Sequence, residues 1–181
     1  FTIARLLTLE GYKGYDRVIR AMPEILRAAP NALYLLAGDG DDALRVKKLI
    51  SELDLQDKVI MTGYISNEKL VDYYNLADVF VMPSKAEGAP AVFVEALACG
   101  IPVIAGNQDG SATPLLNGEV GLLINPDSIK EIATAIINVL TGRVKKNLID
   151  RDFLRRKVLE KFGLEHFPQK VDEALRRVSE N

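Results

Sequence analysis

The feature that most constrains this chain is a rhythm: short, almost wholly apolar runs recur between longer stretches with helical spacing. The runs cover residues 2–7, 32–37, 59–62, 79–82, 102–105 and 121–124. Each is short for a helix and carries no polar face, so each reads as a strand buried on both sides. Between them, residues 15–29 place Val18, Ile19, Met22, Ile25 and Leu26 on one helical face, and residues 42–53 repeat the pattern with Leu44, Leu49, Ile50 and Leu53. Ser66 is expected to cap a helix running to Leu76, its hydroxyl taking an unpaired N–H. Further helices are expected over about 90–98, over 129–140, and twice in the tail from Arg143, with a break near Gly163. Strand–helix alternation repeated about six times predicts an α/β fold. Its form is a doubly wound parallel sheet of about six strands, with helices on both faces and extra helices at the carboxyl end. Such a sheet binds ligands beyond the carboxyl ends of its strands. No repeat, linker or low-complexity tract interrupts the pattern, so residues 1–181 read as one domain.

Composition narrows the partners. Lys and Arg total 23 against 25 Asp and Glu, a net charge of −2. No global field draws nucleic acid or an anionic membrane, so an anion site has to be built locally. The single cysteine, Cys99, and single histidine, His166, supply neither an internal disulfide nor a zinc cluster. Cys99 is expected to be a buried small hydrophobe and His166 a structural or solvent-facing residue. No apolar stretch approaches the roughly 20 residues of a membrane span, and no leader is seen, so a reducing, cytoplasmic setting is expected. Phe1 opens directly into a strand pattern without an initiator Met, as expected of a piece of a longer protein.

Glu95 is the only charged residue between Gly88 and Gln108. An ionised carboxylate in so apolar a helix needs a partner. The ordinary explanation is a structural Arg or a capped loop; the functional one is a ligand hydroxyl. Pro90 suits the first helical position, and Ala89 before it has no side-chain oxygen to cap with. The N–H groups of Ala91, Val92 and Phe93 are therefore expected to be free. A phosphate would satisfy them; water or Glu87 would also serve. Glu87 sits eight residues before Glu95, in the loop after the 79–82 strand. Arg5 and Lys13, near the end of the first strand and in the loop after it, could face the same crevice and supply positive charge.

These residues carry a resemblance. Arg5, Lys13-Gly14, the segment 77–84, Glu87-Gly88, the run from Glu95 to Val103, Gly118 and Gly121-Leu122-Leu123 stand in order and at family spacing. Over residues 1 to about 140 the chain resembles the carboxyl-terminal, donor-binding domain of the "group 1" retaining glycosyltransferases of two-Rossmann-domain (GT-B) architecture. The resemblance implies a Rossmann-like sheet and a nucleotide diphosphate sugar as donor, with no further cofactor and no metal. Arg5 and Lys13 would hold the diphosphate and stabilise its departure. Glu87 would bind hydroxyls of the transferred sugar. Backbone N–H groups of Gly88, Ala89, Ala91 and Val92 would touch phosphates and sugar, and Glu95 would take the ribose hydroxyls. The backbone of Tyr64 and Ile65 would meet the base edge, with Leu70 packing beside it. The acceptor would lie on the protein's own amino-terminal domain.

Three positions depart from the family pattern. Ala4 replaces a Gly, Ala89-Pro90 replaces a common Phe-Gly, and Thr113 stands where a Glu often follows Gly-Gly. Asp39-Gly40-Asp41 reads as a turn and helix start rather than a metal motif. The tail from Arg143 to Lys161, with eight basic and three acidic residues, reads as a solvated face; its alternative is peripheral contact with an anionic membrane. Two other functions fit the same fold: a sugar-nucleotide epimerase, and a non-catalytic nucleotide-binding module.

Overall fold

The computed structural model describes residues 1–166 together with Pro168, Asp172 and Arg176. Six strands form in chain order: β1 (Thr2–Ile3), β2 (Tyr34–Ala37), β3 (Val59–Gly63), β4 (Phe80–Met82), β5 (Val103–Gly106) and β6 (Gly121–Ile124). The helices are α1 (Tyr15–Ala28), α2 (Ala43–Glu52), α3 (Asn67–Leu76), α4 (Ala91–Ala98), α5 (Ile129–Leu140) and α6 (Arg151–Phe162). Every strand pairing is parallel, in two three-stranded ladders, β3-β2-β1 and β4-β5-β6.

A seam joins the ladders. Val81 N–H donates to Phe1 O (2.9 Å), the Phe1 nitrogen donates to Val79 O (2.9 Å), and the Thr2 hydroxyl donates to Val81 O. Across it the strand order reads 3-2-1-4-5-6, the doubly wound order whose direction reverses between β1 and β4. The crevice for a ligand therefore opens beyond Ile3 and Met82.

Alternation along the strands sorts side chains onto two faces. Val81 and Ile104 join the core under α1, α2 and α5, whereas Phe80, Met82, Val103 and Ala105 join the core under α3, α4 and α6. Burial of both faces explains why these strands carry almost no polar residue.

Several boundaries differ from expectation. The apolar run over 2–7 is strand only through Ile3; Ala4 and Leu6 still donate to Ala37 O and Asp39 O (2.9 and 3.0 Å). Beyond Leu7 the chain enters a 3-10 segment, Thr8–Lys13. Ser66 does hold the N-cap position of α3, with extended backbone, but its side chain makes no capping bond. Gly163 follows the end of α6 as expected. Of the second tail helix only Pro168, Asp172 and Arg176 are described, all three helical, and the side chain of His166 lies outside the described residues. Among the described residues no helix is long and apolar enough to cross a membrane.

Candidate functional site

Arg5, Lys13 and Glu87 converge at the switch point. Glu87 Oε1 accepts from Lys13 Nζ at 3.0 Å although 74 residues separate them, and both side chains are largely buried. The loop after β1 reaches this far because Gly14 has φ +79°, in the left-handed region, and lies against the end of β4. A Cβ there would fall 2.5 Å from Pro83 O. Lys85 N–H donates to Tyr12 O (3.1 Å) and fastens the two loops together.

Sequence reading missed Glu10. Its buried carboxylate pairs with Arg5 and lies 3.6 Å from Lys13 Nζ. The guanidinium of Arg5 is mostly exposed and keeps donors free beyond its pairing with Glu10. Two cations and two carboxylates thus alternate, Arg5–Glu10–Lys13–Glu87, and the cluster is neutral. Both cations are already matched by carboxylates.

Beside this cluster lies the start of α4. Pro90 is the N-cap, with extended backbone, and the first helical residue is Ala91. This corrects the expected start by one residue. Phe93 N–H, expected to be free, donates to Pro90 O (3.2 Å). No side chain caps the helix. Among the described residues the N–H groups of Gly88, Ala89, Ala91 and Val92 have no hydrogen-bond acceptor. Glu87, the other capping candidate, is committed to Lys13. Four unpaired donors at a helix start, near the Lys13–Glu87 pair, are suited to a negatively charged oxygen.

Glu95, half-buried on α4, finds its partner in Tyr74 of α3, whose hydroxyl donates to Oε2 at 2.8 Å. The partner is a phenol, not the structural Arg considered above. Burial, and after it the carboxylate of Glu95, push the Tyr74 hydroxyl well above the ordinary tyrosine range. Oε1 of Glu95 has no partner among the described residues and remains able to accept a ligand hydroxyl. Tyr74 is wedged among Phe1 and Phe80, with ring centroids 5.5 and 5.7 Å away, so its hydroxyl is rigidly aimed.

Tyr64 and Ile65 follow β3 on the same carboxyl side of the sheet. The Tyr64 side chain is exposed, Ile65 is buried, and Leu70 packs against the same core. The backbone groups of Tyr64 and Ile65 make no hydrogen bond among the described residues, which leaves them available to a planar edge. Asp39 accepts from Gly40 N–H within the turn, whereas Asp41 accepts from Thr8 N–H of the first loop (both 2.8 Å). Thr113, at the position of the absent Glu, donates its N–H to Gly110 O (3.2 Å). Cys99 is half-buried against the α4–α6 core, and burial raises its thiol pKa.

Comparison with known proteins places this geometry. The family model described as "Glycosyl transferases group 1" matches residues 2–152. A GDP-mannose-dependent alpha-(1-6)-phosphatidylinositol monomannoside mannosyltransferase of Mycobacterium tuberculosis is 33% identical over 149 residues, 78% of this chain and 39% of the relative. The Mycolicibacterium smegmatis protein of the same name is 33% identical over 135 residues, 71% of this chain and 35% of that one. The chain therefore spans well under half the length of these relatives. Among solved structures, sucrose-phosphate synthase from Thermosynechococcus elongatus superposes with a TM-score of 0.83 at 28% identity, covering 98% of this chain and 45% of that one. Anabaena Alr3699/HepE in complex with UDP shares the fold, with a TM-score of 0.81 at 24% identity over 98% of this chain and 49% of that one. With the family model spanning all six strands and the loops of the crevice, this chain belongs to the group 1 glycosyl transferases.

Proposed function

We propose that this chain is the donor-binding half of a retaining glycosyltransferase, taking a nucleotide diphosphate sugar into the crevice between β1 and β4. The observation that carries the reading is the uncapped start of α4 beside the Lys13–Glu87 pair, at the switch point of the sheet. The diphosphate lies over the free N–H groups of Gly88, Ala89, Ala91 and Val92. Lys13 and Arg5 turn from their carboxylates to its oxygens. Glu87, released from Lys13, accepts hydroxyls of the sugar, and Oε1 of Glu95 accepts from the ribose. The backbone of Tyr64 and Ile65 meets the base, with Leu70 beside it. When the glycosidic bond breaks, charge grows on the departing diphosphate, and the two cations and the helix start are already in place to stabilise it. No metal is assigned a part. The acceptor is assigned to an amino-terminal domain of the whole protein, which works in the cytoplasm, with the basic tail as its surface for peripheral membrane contact.

The relatives named for GDP-mannose make that donor the first to test, with UDP-glucose and ADP-glucose beside it. Calorimetry on the full chain is expected to show one of them binding in the micromolar-to-millimolar range usual for enzyme substrates, roughly 1 μM to 1 mM. Lys13→Ala is expected to weaken that donor about tenfold, the scale of one lost charge-assisted hydrogen bond. Failure of all three donors to bind would overturn the reading. Release of an epimerised free nucleotide sugar without transfer would replace it with an epimerase.

A further inference from the structure

The loop that carries Glu87 is also fastened from the β5 side, away from Lys13. Asp109, in the turn after β5, accepts Glu87 N–H at Oδ2 (3.0 Å) and Ser111 N–H at Oδ1 (2.9 Å). Gly110 N–H donates back to Glu87 O (2.8 Å). The two loops lie so close that a Cβ on Gly110 would fall 1.5 Å from Gly88 O. Both backbone groups of Glu87 are thus held by residues 109 and 110.

The four free N–H groups therefore divide into two pairs. Those of Ala91 and Val92 are aimed by α4 itself. Those of Gly88 and Ala89 sit on the loop between the Asp109 clamp and Pro90, and so does the Glu87 side chain. The chemistry of the clamp calls for a carboxylate. Two N–H groups converge on two separate oxygens, and an Asn would present an NH2 to one of them. Bonds to an ionised acceptor are also the stronger kind.

We propose that Asp109 is a positioning residue for the distal phosphate and sugar of the donor. It sets the direction of Glu87 and of the Gly88 and Ala89 N–H groups without touching the donor. The inference rests on the reading of the crevice as a nucleotide-sugar site, and the experiment separates the two. Donor affinity of the unmodified full chain is measured first; absence of binding overturns the functional reading, and this one with it. For the donor that binds, Asp109→Ala is expected to weaken affinity about tenfold, the scale of one to two hydrogen bonds. The nucleoside monophosphate of the same base is expected to stay within about twofold, because the α4 donors and the base contacts are untouched. Asp109→Asn, which keeps one acceptor, should fall between. Equal losses for the two ligands would make Asp109 general scaffold and overturn the proposal. Unchanged affinity for both would do the same, and so would an Asn variant no better than Ala. Should the Ala variant not fold, the Asn variant alone carries the comparison, and equal effects on both ligands would again refute it.

Discussion

Tyr74 and Glu95 share one hydrogen bond, but its two ends are not equivalent. Replacing Tyr74 with Phe leaves a half-buried carboxylate without a protein partner, at a cost of about 1.5–3 kcal/mol, as for hydrogen bonds to charged groups. Glu95→Gln leaves the phenol an acceptor and should cost under about 1 kcal/mol. Urea denaturation of the two variants checks this ranking, and the reverse order would show that Glu95 is held by something other than Tyr74. Glu95 could be singled out from sequence because a lone charge in an apolar helix is conspicuous. Its partner could not. Tyr73 and Tyr74 are adjacent, a helical step of about 100° separates their directions, and only packing decides which one is fully buried. Lys13, Glu87 and the capless helix start were likewise visible one by one. Glu10 and Asp109 were not: Glu10 shares a loop with Arg5 and Lys13, but nothing in the sequence shows that it folds between them, and Asp109 acts on a residue of another loop. An Asp-Gly pair such as Asp109-Gly110 is a recognisable turn signal, but nothing in it names Glu87 as the group to be clamped.

Helices α1 and α2 are locked together by one carboxylate. Asp42, at the N-cap position of α2, accepts from the Tyr15 hydroxyl of α1 (2.6 Å) and from Arg45 Nε and Nη2 (2.6 Å each). The Arg45 guanidinium, foremost, holds the Asp42 carboxyl below the ordinary carboxylate range despite its burial. A depressed native pKa contributes stability above the unfolded value of about 3.9, and that contribution is lost as pH falls through the native pKa. Asp42→Asn is expected to cost about 2 kcal/mol at neutral pH, reduced from a fully buried pair because Arg45 is half exposed. It should also flatten the acid side of the stability profile below about pH 4. Denaturant titrations at pH 7 and pH 3 test both parts, and a variant as acid-sensitive as the parent would assign that sensitivity elsewhere. At this scale the existence and type of every strand and of the first six helices were legible from periodicity. The ends were less so. The run over 2–7 stays apolar past Ile3 because Ala4 and Leu6 are buried in the core with residues of α1 and α2, and burial is all that such a pattern reports.

The molecule as a whole carries a sensitivity to alkali. Tyr15, Tyr34 and Tyr74 all have hydroxyls raised above the ordinary range, each chiefly by burial. In the unfolded chain they ionise near pH 10, whereas in the fold they stay neutral. Stability is therefore complete below about pH 10 and falls as pH rises towards the native values, by up to about 1.4 kcal/mol per pH unit for each tyrosine. Urea midpoints at pH 9 and pH 11 should differ accordingly, and Tyr34→Phe should lessen the difference. Equal midpoints would contradict the burial of these phenols. The strand order was legible only as a class, because periodicity does not say which strand lies beside which. The β1–β4 pairing is the case in point, since it ties Phe1 and Thr2 to residues 79–81, across nearly half the chain. Each three-stranded ladder can assemble from near neighbours, but this seam needs a long loop to close. Lys13 belongs to one side of it and Glu87 to the other. The crevice is thus made across a long-range seam that neither ladder supplies alone. A chain parted along the seam would keep most of its secondary structure and have no binding site at all, so ligand binding reports on the completion of the fold more faithfully than helix content does.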